Sequence, residues 1–366
     1  MHLLSQKAFL LILGLLIVQI PASAQMKRTV SDVDSRTAID NVIDEQAGSG
    51  FTGSVLVARD GKLIVDRYAG KEFEGDDRPS FWLASNSKPI TAIAIFKLKE
   101  QGRLSLTDPI TKFFKNVPTD KSQITISDLL THTSGFPHVY VAEGIVDRDA
   151  AVKKAFETPL QYKTVDGWHY ANLNFTLLAA IVEVASGRSF EDYVRREIFG
   201  PAAMKESGFW GYQGDAKLAR SPNPMMLMNM NPKVYSGGKS VANWGYRGAT
   251  GLYSTVDDLY RLVKALREGK ILKRSALDEM WSPAVFIRND PGTSVYSGYG
   301  WYVVMKDGRR IGVRHSGSED VIGHNGVIWI YENGDVSIVL SNAGEVNGQG
   351  RSSAVSSAIN KVLSTQ

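Results

Sequence analysis

Three short turn signals, Asp60-Gly61 near one end of the chain and Asp307-Gly308 and Asn333-Gly334 near the other, constrain the fold more than any other feature. Two-residue hairpin turns need positive φ at both corner positions, which Asn, Asp and Gly supply at least cost. Each signal is flanked by runs rich in β-branched and aromatic residues. GSVLVAR and KLIVDRYAG surround the first, GYGWYVVM and RRIGVRH the second, VIWIY and VSIVLSN the third. Between the two groups, from about residue 105 to 270, the periodicity is helical and loop-like. The expected class is α+β: an antiparallel sheet built from both chain ends and flanked by helices, with a mostly helical insertion.

Residues 25–104 and 271–366 then form the α/β part of one domain, 25–366, and residues 105–270 its insertion. SRTAIDNVIDEQ reads as an amphipathic helix. ITAIAIFKLKEQG, from Ile90, is apolar on most sides, which predicts burial between layers, and Gly102 ends it. In TISDLLTHTSG, Thr125 and Asp128 suit a capping box, with Gly135 as the stop. FTLLAAIVEVASG, SFEDYVRREIFG and TVDDLYRLVKALREG read as helices closed by glycine, and SSAVSSAINKVL as a last helix. Residues 211–250 show no period and, just after Trp210, carry Tyr212, Met225, Met226, Met228, Met230, Trp244 and Tyr246. They suit either a rim for an apolar acyl group or packing against the helical part.

The first 24 residues look like an export leader: Lys7, an apolar run AFLLILGLLIVQI, then Ala22-Ser23-Ala24 before Gln25. An uncleaved anchor is the alternative. Cleavage predicts a periplasmic or secreted protein with no stable membrane span. The chain has no cysteine, which excludes disulfides, thiolate metal sites and a thiol nucleophile. Net charge is +4, or +3 without Lys7, and the excess is scattered, so a nucleic-acid partner is not expected. Hydrophobic content of 43% and charged content of 22% suit a globular chain.

G-x-S-x-G, H-E-x-x-H and the P-loop pattern are all absent from the sequence. WLASNSKPI holds Ser85 and Lys88 three residues apart, ahead of the apolar helix. On one helix face the amine can reach the hydroxyl. Pro89 sets the pair in the first turn, where the helix dipole favours neutral Lys88 and an oxyanion at Ser85. Ser-x-x-Lys recurs at Ser236–Lys239, flanked by glycines and without a helical pattern. Tyr170-Ala171-Asn172 precedes FTLLAAIVEV, so a phenol could pass protons there while an amide orients an acyl group. Its second copy, Tyr331–Asn333, is a hairpin turn. His315-Ser316-Gly317 ends the strand RRIGVRH, where backbone N–H and hydroxyl could meet a carbonyl. His324-Asn325-Gly326 competes with it and reads as a turn.

In this order and on these elements, the three triplets resemble the serine β-lactamase and penicillin-binding protein superfamily. The similarity is greatest to class C β-lactamase-related hydrolases, which include D-peptidases and esterases. LLTHTSG and GLYSTVDDL also resemble framework stretches of that family. The resemblance implies a β-lactamase/transpeptidase-like fold with Ser85 as nucleophile, Lys88 as its activating partner and Tyr170 as proton relay. It further implies Asn172 at the acyl side chain, His315, Ser316 and Gly317 along the substrate, and backbone N–H groups of Ser85 and Ser318 around an oxyanion. No cofactor or metal is implied. The expected partner is a small-molecule or peptide substrate: an ester, a D-amino-acid amide, a β-lactam or a cell-wall fragment. A penicillin-binding sensor acylated with little turnover is the alternative. Lys-Thr-Gly of the true β-lactamases is His315-Ser316-Gly317 here, which exchanges a permanent cation for one expected to titrate near neutrality.

Overall fold

A computed structural model describes residues 22–70, 78–210, 218–219, 243–319, 322–346 and 349–364. Residues 1–21 with their apolar run, the second Ser-x-x-Lys copy, and Tyr212, Met225, Met226, Met228 and Met230 lie outside them. No helix among the described residues is long and apolar enough to cross a membrane.

The central element is an eight-stranded sheet, antiparallel at every pairing, drawn from both chain ends. Strands β1 (Gly53–Arg59) and β2 (Lys62–Ala69) form the first hairpin, with Asp60 and Gly61 both at positive φ. Strands β3 (Phe81–Trp82), β4 (Gly208–Phe209) and β5 (Leu252–Ser254) make a separate three-stranded sheet in the order β3-β5-β4. The remaining strands are β6 (Val285–Asp290), β7 (Thr293–Ser297), β8 (Tyr302–Lys306), β9 (Arg309–Glu319), β10 (His324–Tyr331) and β11 (Val336–Ser341). The order of the large sheet is β2-β1-β11-β10-β9-β8-β7-β6, so β1 pairs with β11 and joins the two ends of the chain.

On one face, helix α1 (Ala22–Gly48) and the C-terminal helix Arg351–Ser364 pack through Ile39, Ile43, Val355 and Ile359 against Val55, Val57 and Val339. On the other lies α2 (Lys88–Glu100), in which Lys88 through Phe96 and Leu98 are all buried. Such burial explains its all-round apolarity: the sheet lies on one side and the helical part on the other. Removing that apolar surface from water is the main stabilising term, roughly 25 cal/mol per Å².

The helical part contains α3 (Ile126–Thr131), α4 (Arg148–Glu157) and α5 (Asn172–Ser186), followed by shorter turns and the helix Val256–Arg267. The Thr125–Asp128 capping box forms. Helix α3, however, stops at His132 in the left-handed conformation, three residues before Gly135. The segment Phe190–Phe199 runs through Gly200 and ends at Ala203, also left-handed. Strand β9 extends four residues beyond His315, so the His315–Gly317 triplet is internal to the strand rather than at its end. His324 is no turn residue: it opens β10, is fully buried, and its Nδ1 accepts from the Trp82 N–H at 2.9 Å. Trp210, Trp244 and Tyr246 are buried, with Trp82 stacked on Trp210 and edge-on to Tyr246, so these three pack the interior.

Candidate active site

Ser85 lies in a 3₁₀ turn, Ala84–Ser87, that runs directly into α2. Side chains three apart eclipse in that geometry, which stacks Lys88 over Ser85 more closely than an α-helical turn would. Ala84 enters the turn at φ 47°, a conformation non-glycine residues adopt at a cost. Surrounding contacts hold it there. Leu83 N–H donates to the Leu252 carbonyl (2.8 Å), and the Ser87 hydroxyl accepts from the Leu252 N–H (3.2 Å). Asn86 Nδ2 donates to the Gly326 carbonyl (3.1 Å). The nucleophile turn is thereby fastened to both sheets.

Four of the residues singled out in the sequence converge. Lys88 Nζ lies 3.0 Å from Ser85 Oγ, 2.7 Å from Asn172 Oδ1 and 3.1 Å from the Ala249 carbonyl. The Tyr170 hydroxyl donates to Ser85 Oγ at 2.7 Å, and the lysine amine sits over the Tyr170 ring, 4.8 Å from its centroid. Lys88 is fully buried and pairs with no carboxylate among the described residues. Burial holds its amine well below the ordinary lysine range, because a desolvated, uncompensated ammonium is disfavoured. Burial acts oppositely on Tyr170, raising the phenol well above its usual value, with a smaller push from Tyr302.

Burial thus favours the neutral amine over the ammonium and the phenol over the phenolate. A neutral amine has two N–H groups and one lone pair. The Ala249 carbonyl and Asn172 Oδ1 can only accept, so together they take both N–H groups. As an ammonium Lys88 donates to Ser85 Oγ across this 3.0 Å contact; as a neutral amine it turns its lone pair to the Ser85 O–H, while Tyr170 donates to the same oxygen. In the neutral state the serine proton is aligned with a base before any substrate arrives.

Strand β9 closes the site. A Cβ added at Gly317 would lie 2.4 Å from the Leu83 carbonyl oxygen and 2.8 Å from the Ser85 nitrogen, so only glycine lets the strand approach the turn this closely. His315, two residues back, shares that face and stacks on Tyr302 with centroids 5.1 Å apart. Its Nδ1 faces the Ser316 carbonyl at 2.9 Å, which makes Nδ1 the protonated nitrogen. Burial, reinforced by Lys88, pulls this imidazole down to about 3, so His315 is neutral at physiological pH and does not titrate near neutrality as its type alone suggested. Ser316 and Arg314 line a groove on the opposite face of the sheet, with Trp329. The Ser316 hydroxyl is thus turned away from Ser85. Ser318 is solvent-facing, one residue beyond Gly317.

Two further histidines reach the site from LLTHTSGFPH. Left-handed His132 is buried; its Nδ1 accepts from the Ala171 N–H (3.1 Å) and its ring packs on Tyr170 with centroids 4.5 Å apart. His138, at the solvent edge, brings Nε2 to 3.1 Å from Asn172 Nδ2 and meets Tyr170 edge-on. Neither forms a periodic pattern with its partner in the sequence; the contacts exist only once α3 packs against α5. Among the described residues no group of His, Asp and Glu side chains could hold a metal ion.

The fold and sequence have known counterparts. The Bacillus subtilis protein PbpX, named for penicillin binding, is 29% identical over 286 residues, 75% of this chain and 67% of that relative. An N-acetylmuramyl-L-alanine amidase of the same organism is 27% identical over 286 residues, 66% of this chain and 65% of the relative. The chain thus spans about two thirds of these relatives' own length. D-amino acid amidase from Ochrobactrum anthropi, solved with D-phenylalanine, has a TM-score of 0.72 at 22% identity, covering 90% of this chain and 98% of that one. A penicillin-binding protein from Bacillus halodurans has a TM-score of 0.71 at 24% identity, covering 88% and 99%. These structural likenesses establish a β-lactamase/transpeptidase-like fold. With the family model named Beta-lactamase matching residues 39–356, the chain belongs to the Beta-lactamase family.

Proposed function

We propose that the chain is an exported serine hydrolase of the class C-like branch, cleaving an ester or amide bond through an acyl-enzyme on Ser85. The observation that carries this is Lys88 Nζ lying 3.0 Å from Ser85 Oγ in a buried site with no carboxylate counter-ion among the described residues. Ser85 Oγ attacks the substrate carbonyl as its proton passes to Lys88 Nζ. Tyr170, protonated in the resting site, gives its proton to the leaving nitrogen or oxygen and is reprotonated from the Lys88 ammonium. Water then attacks the ester, its proton passing to neutral Lys88, and Ser85 leaves as the hydroxyl. Backbone N–H groups of Ser85 and Ser318 flank the position of the oxyanion, each such donor being worth about 100- to 1,000-fold in rate. Asn172 borders the acyl side chain.

Neutral His315 supports substrates without a carboxylate beside the scissile bond, because no protonated cation faces Ser85 among the described residues. Uncharged esters and D-amino-acid amides fit better than carboxylate-bearing β-lactams. The fold shared with a D-amino acid amidase is compatible with that choice.

Pre-steady-state kinetics with a chromogenic ester, a D-amino-acid anilide and a chromogenic cephalosporin test the reading. A burst followed by turnover of ester or anilide, lost in Ser85→Ala, is expected. Stoichiometric acylation by the cephalosporin without turnover of any substrate points instead to a penicillin-binding sensor. No Ser85-dependent signal with any acyl donor overturns both. Export predicts a mature N-terminus at Gln25, read by mass spectrometry of the periplasmic or secreted protein.

A further inference from the structure

The Asn172 amide touches two groups with opposite demands. Its Oδ1 accepts from Lys88 Nζ at 2.7 Å, and its Nδ2 lies 3.1 Å from His138 Nε2. A primary amide rotated by 180° occupies almost the same space, so shape alone does not choose its orientation. Lys88 does not choose it either. Its amine can donate to Oδ1, or its lone pair can accept from Nδ2. The second arrangement spends the lone pair on Asn172 and leaves none for the Ser85 proton.

We propose that His138 is a positioning residue: by accepting from Asn172 Nδ2 it fixes the amide in the one orientation that turns the Lys88 lone pair toward Ser85. This rests on the hydrolase reading and adds a residue outside the Ser-x-x-Lys, Tyr-x-Asn and His-x-Gly triplets. It requires the His138 tautomer with hydrogen on Nδ1 and a free pair on Nε2. Protonated His138 carries hydrogen on both nitrogens, can only donate, and draws Oδ1 toward itself. The groups facing this imidazole are Lys88 from α2, Tyr170 and Asn172 at the start of α5, and His132 at the end of α3. None is a carboxylate. Desolvation at the rim of the site holds His138 below the ordinary histidine value, which keeps it an acceptor at neutral pH.

His138→Gln supplies an amide oxygen that can still accept, whereas His138→Leu cannot. Because His138 is exposed, neither change opens a core cavity. With a chromogenic ester at pH 7.5, His138→Leu is expected to lower kcat by about 10- to 100-fold with KM little changed, as misalignment of a base does. His138→Gln should stay within about threefold of wild type for the same reason. Acidification should silence the wild type through two protonations, at Lys88 and His138, and the Gln variant through one. Equal rates for His138→Leu and wild type, equal impairment of both variants, or an unchanged number of protons in the Gln profile each overturn the proposal. Phosphonylation of Ser85 by a fluorophosphonate gives a second readout without turnover. A wild type that labels through Ser85 while His138→Leu labels equally fast sinks the positioning role alone. A wild type inert to both reagents sinks the hydrolase reading with it.

Discussion

A histidine occupying a lysine's place need not be a weaker cation; buried, it is not a cation at all. His315 is shielded by its stack on Tyr302 and by the strand beneath it, and Lys88 adds a smaller influence in the same direction. With its proton lost down to about 3, the site presents the same neutral face throughout the physiological range. The ratio of kcat/KM for a carboxylate-bearing ester to that for its neutral methyl ester should therefore be flat from about pH 5.5 to 8. His315→Lys should raise that ratio severalfold, measured on the same ester pair. A wild-type ratio that climbs on acidification toward pH 5.5 would return His315 to the role of titrating cation. For Tyr170, removing the hydroxyl in Tyr170→Phe should cost about 100- to 10,000-fold in kcat, the range for positioned proton donors. Loss of under tenfold would reassign its bond to Ser85 as structural. Residue identities at this scale were largely legible: Ser85, Lys88, Tyr170, Asn172 and Gly317 stood out through local context. The charge of His315 was not: its neutrality follows from burial, which a string of letters does not display, whereas the lowered Lys88 was expected from its place at the helix start.

At the scale of elements, the site depends on one strand and one turn meeting almost without a gap. Gly317 is where β9 touches the Ser85 turn, and a methyl group there would strike the backbone at Leu83 and Ser85 rather than a movable side chain. Gly317→Ala should drive β9 away, costing about 1–3 kcal/mol of stability as overpacking does. It should also cost about 100-fold or more in kcat, since the Ser85 and Ser318 amides proposed for the oxyanion separate. Urea unfolding and ester turnover on one preparation test both; wild-type kcat in a folded Gly317→Ala protein would detach β9 from the oxyanion. The hairpins at Asp60-Gly61, Asp307-Gly308 and Asn333-Gly334 were readable because turn chemistry and alternation agree. The β6–β7 hairpin went unread. It turns at Pro291-Gly292, and its strands lie at the sheet edge with the pattern half-buried, exposed, half-buried, exposed along VFIR, so little apolar run marks them. The stop of α3 also escaped, because a histidine takes the left-handed cap usually given to glycine.

At the scale of the whole molecule, the same burial that sets the chemistry sets a dependence of stability on pH. His132 is buried where α3 meets α5, and His315 where the sheet meets the helical part. Both are held below the ordinary histidine value, chiefly by desolvation. In the unfolded chain each imidazole takes up a proton as pH falls through about 6.5. In the folded chain both stay neutral, His315 down to about 3. The unfolded state then binds more protons, so stability is fully present above about pH 6.5 and is lost as pH falls below it. Each histidine contributes a slope of at most about 1.4 kcal/mol per pH unit in that window. Between pH 6.5 and 5 few carboxylates titrate, so the urea midpoint of the wild type should fall steadily, read by tryptophan fluorescence. His132→Gln and His315→Gln should each flatten the fall while lowering stability at pH 7.5, because glutamine has no proton to gain. A midpoint that does not move between pH 7.5 and 5 would mean both imidazoles ionise freely within the fold. The neutral site proposed for catalysis would then fail with them, because the burial that suppresses His132 and His315 also suppresses Lys88.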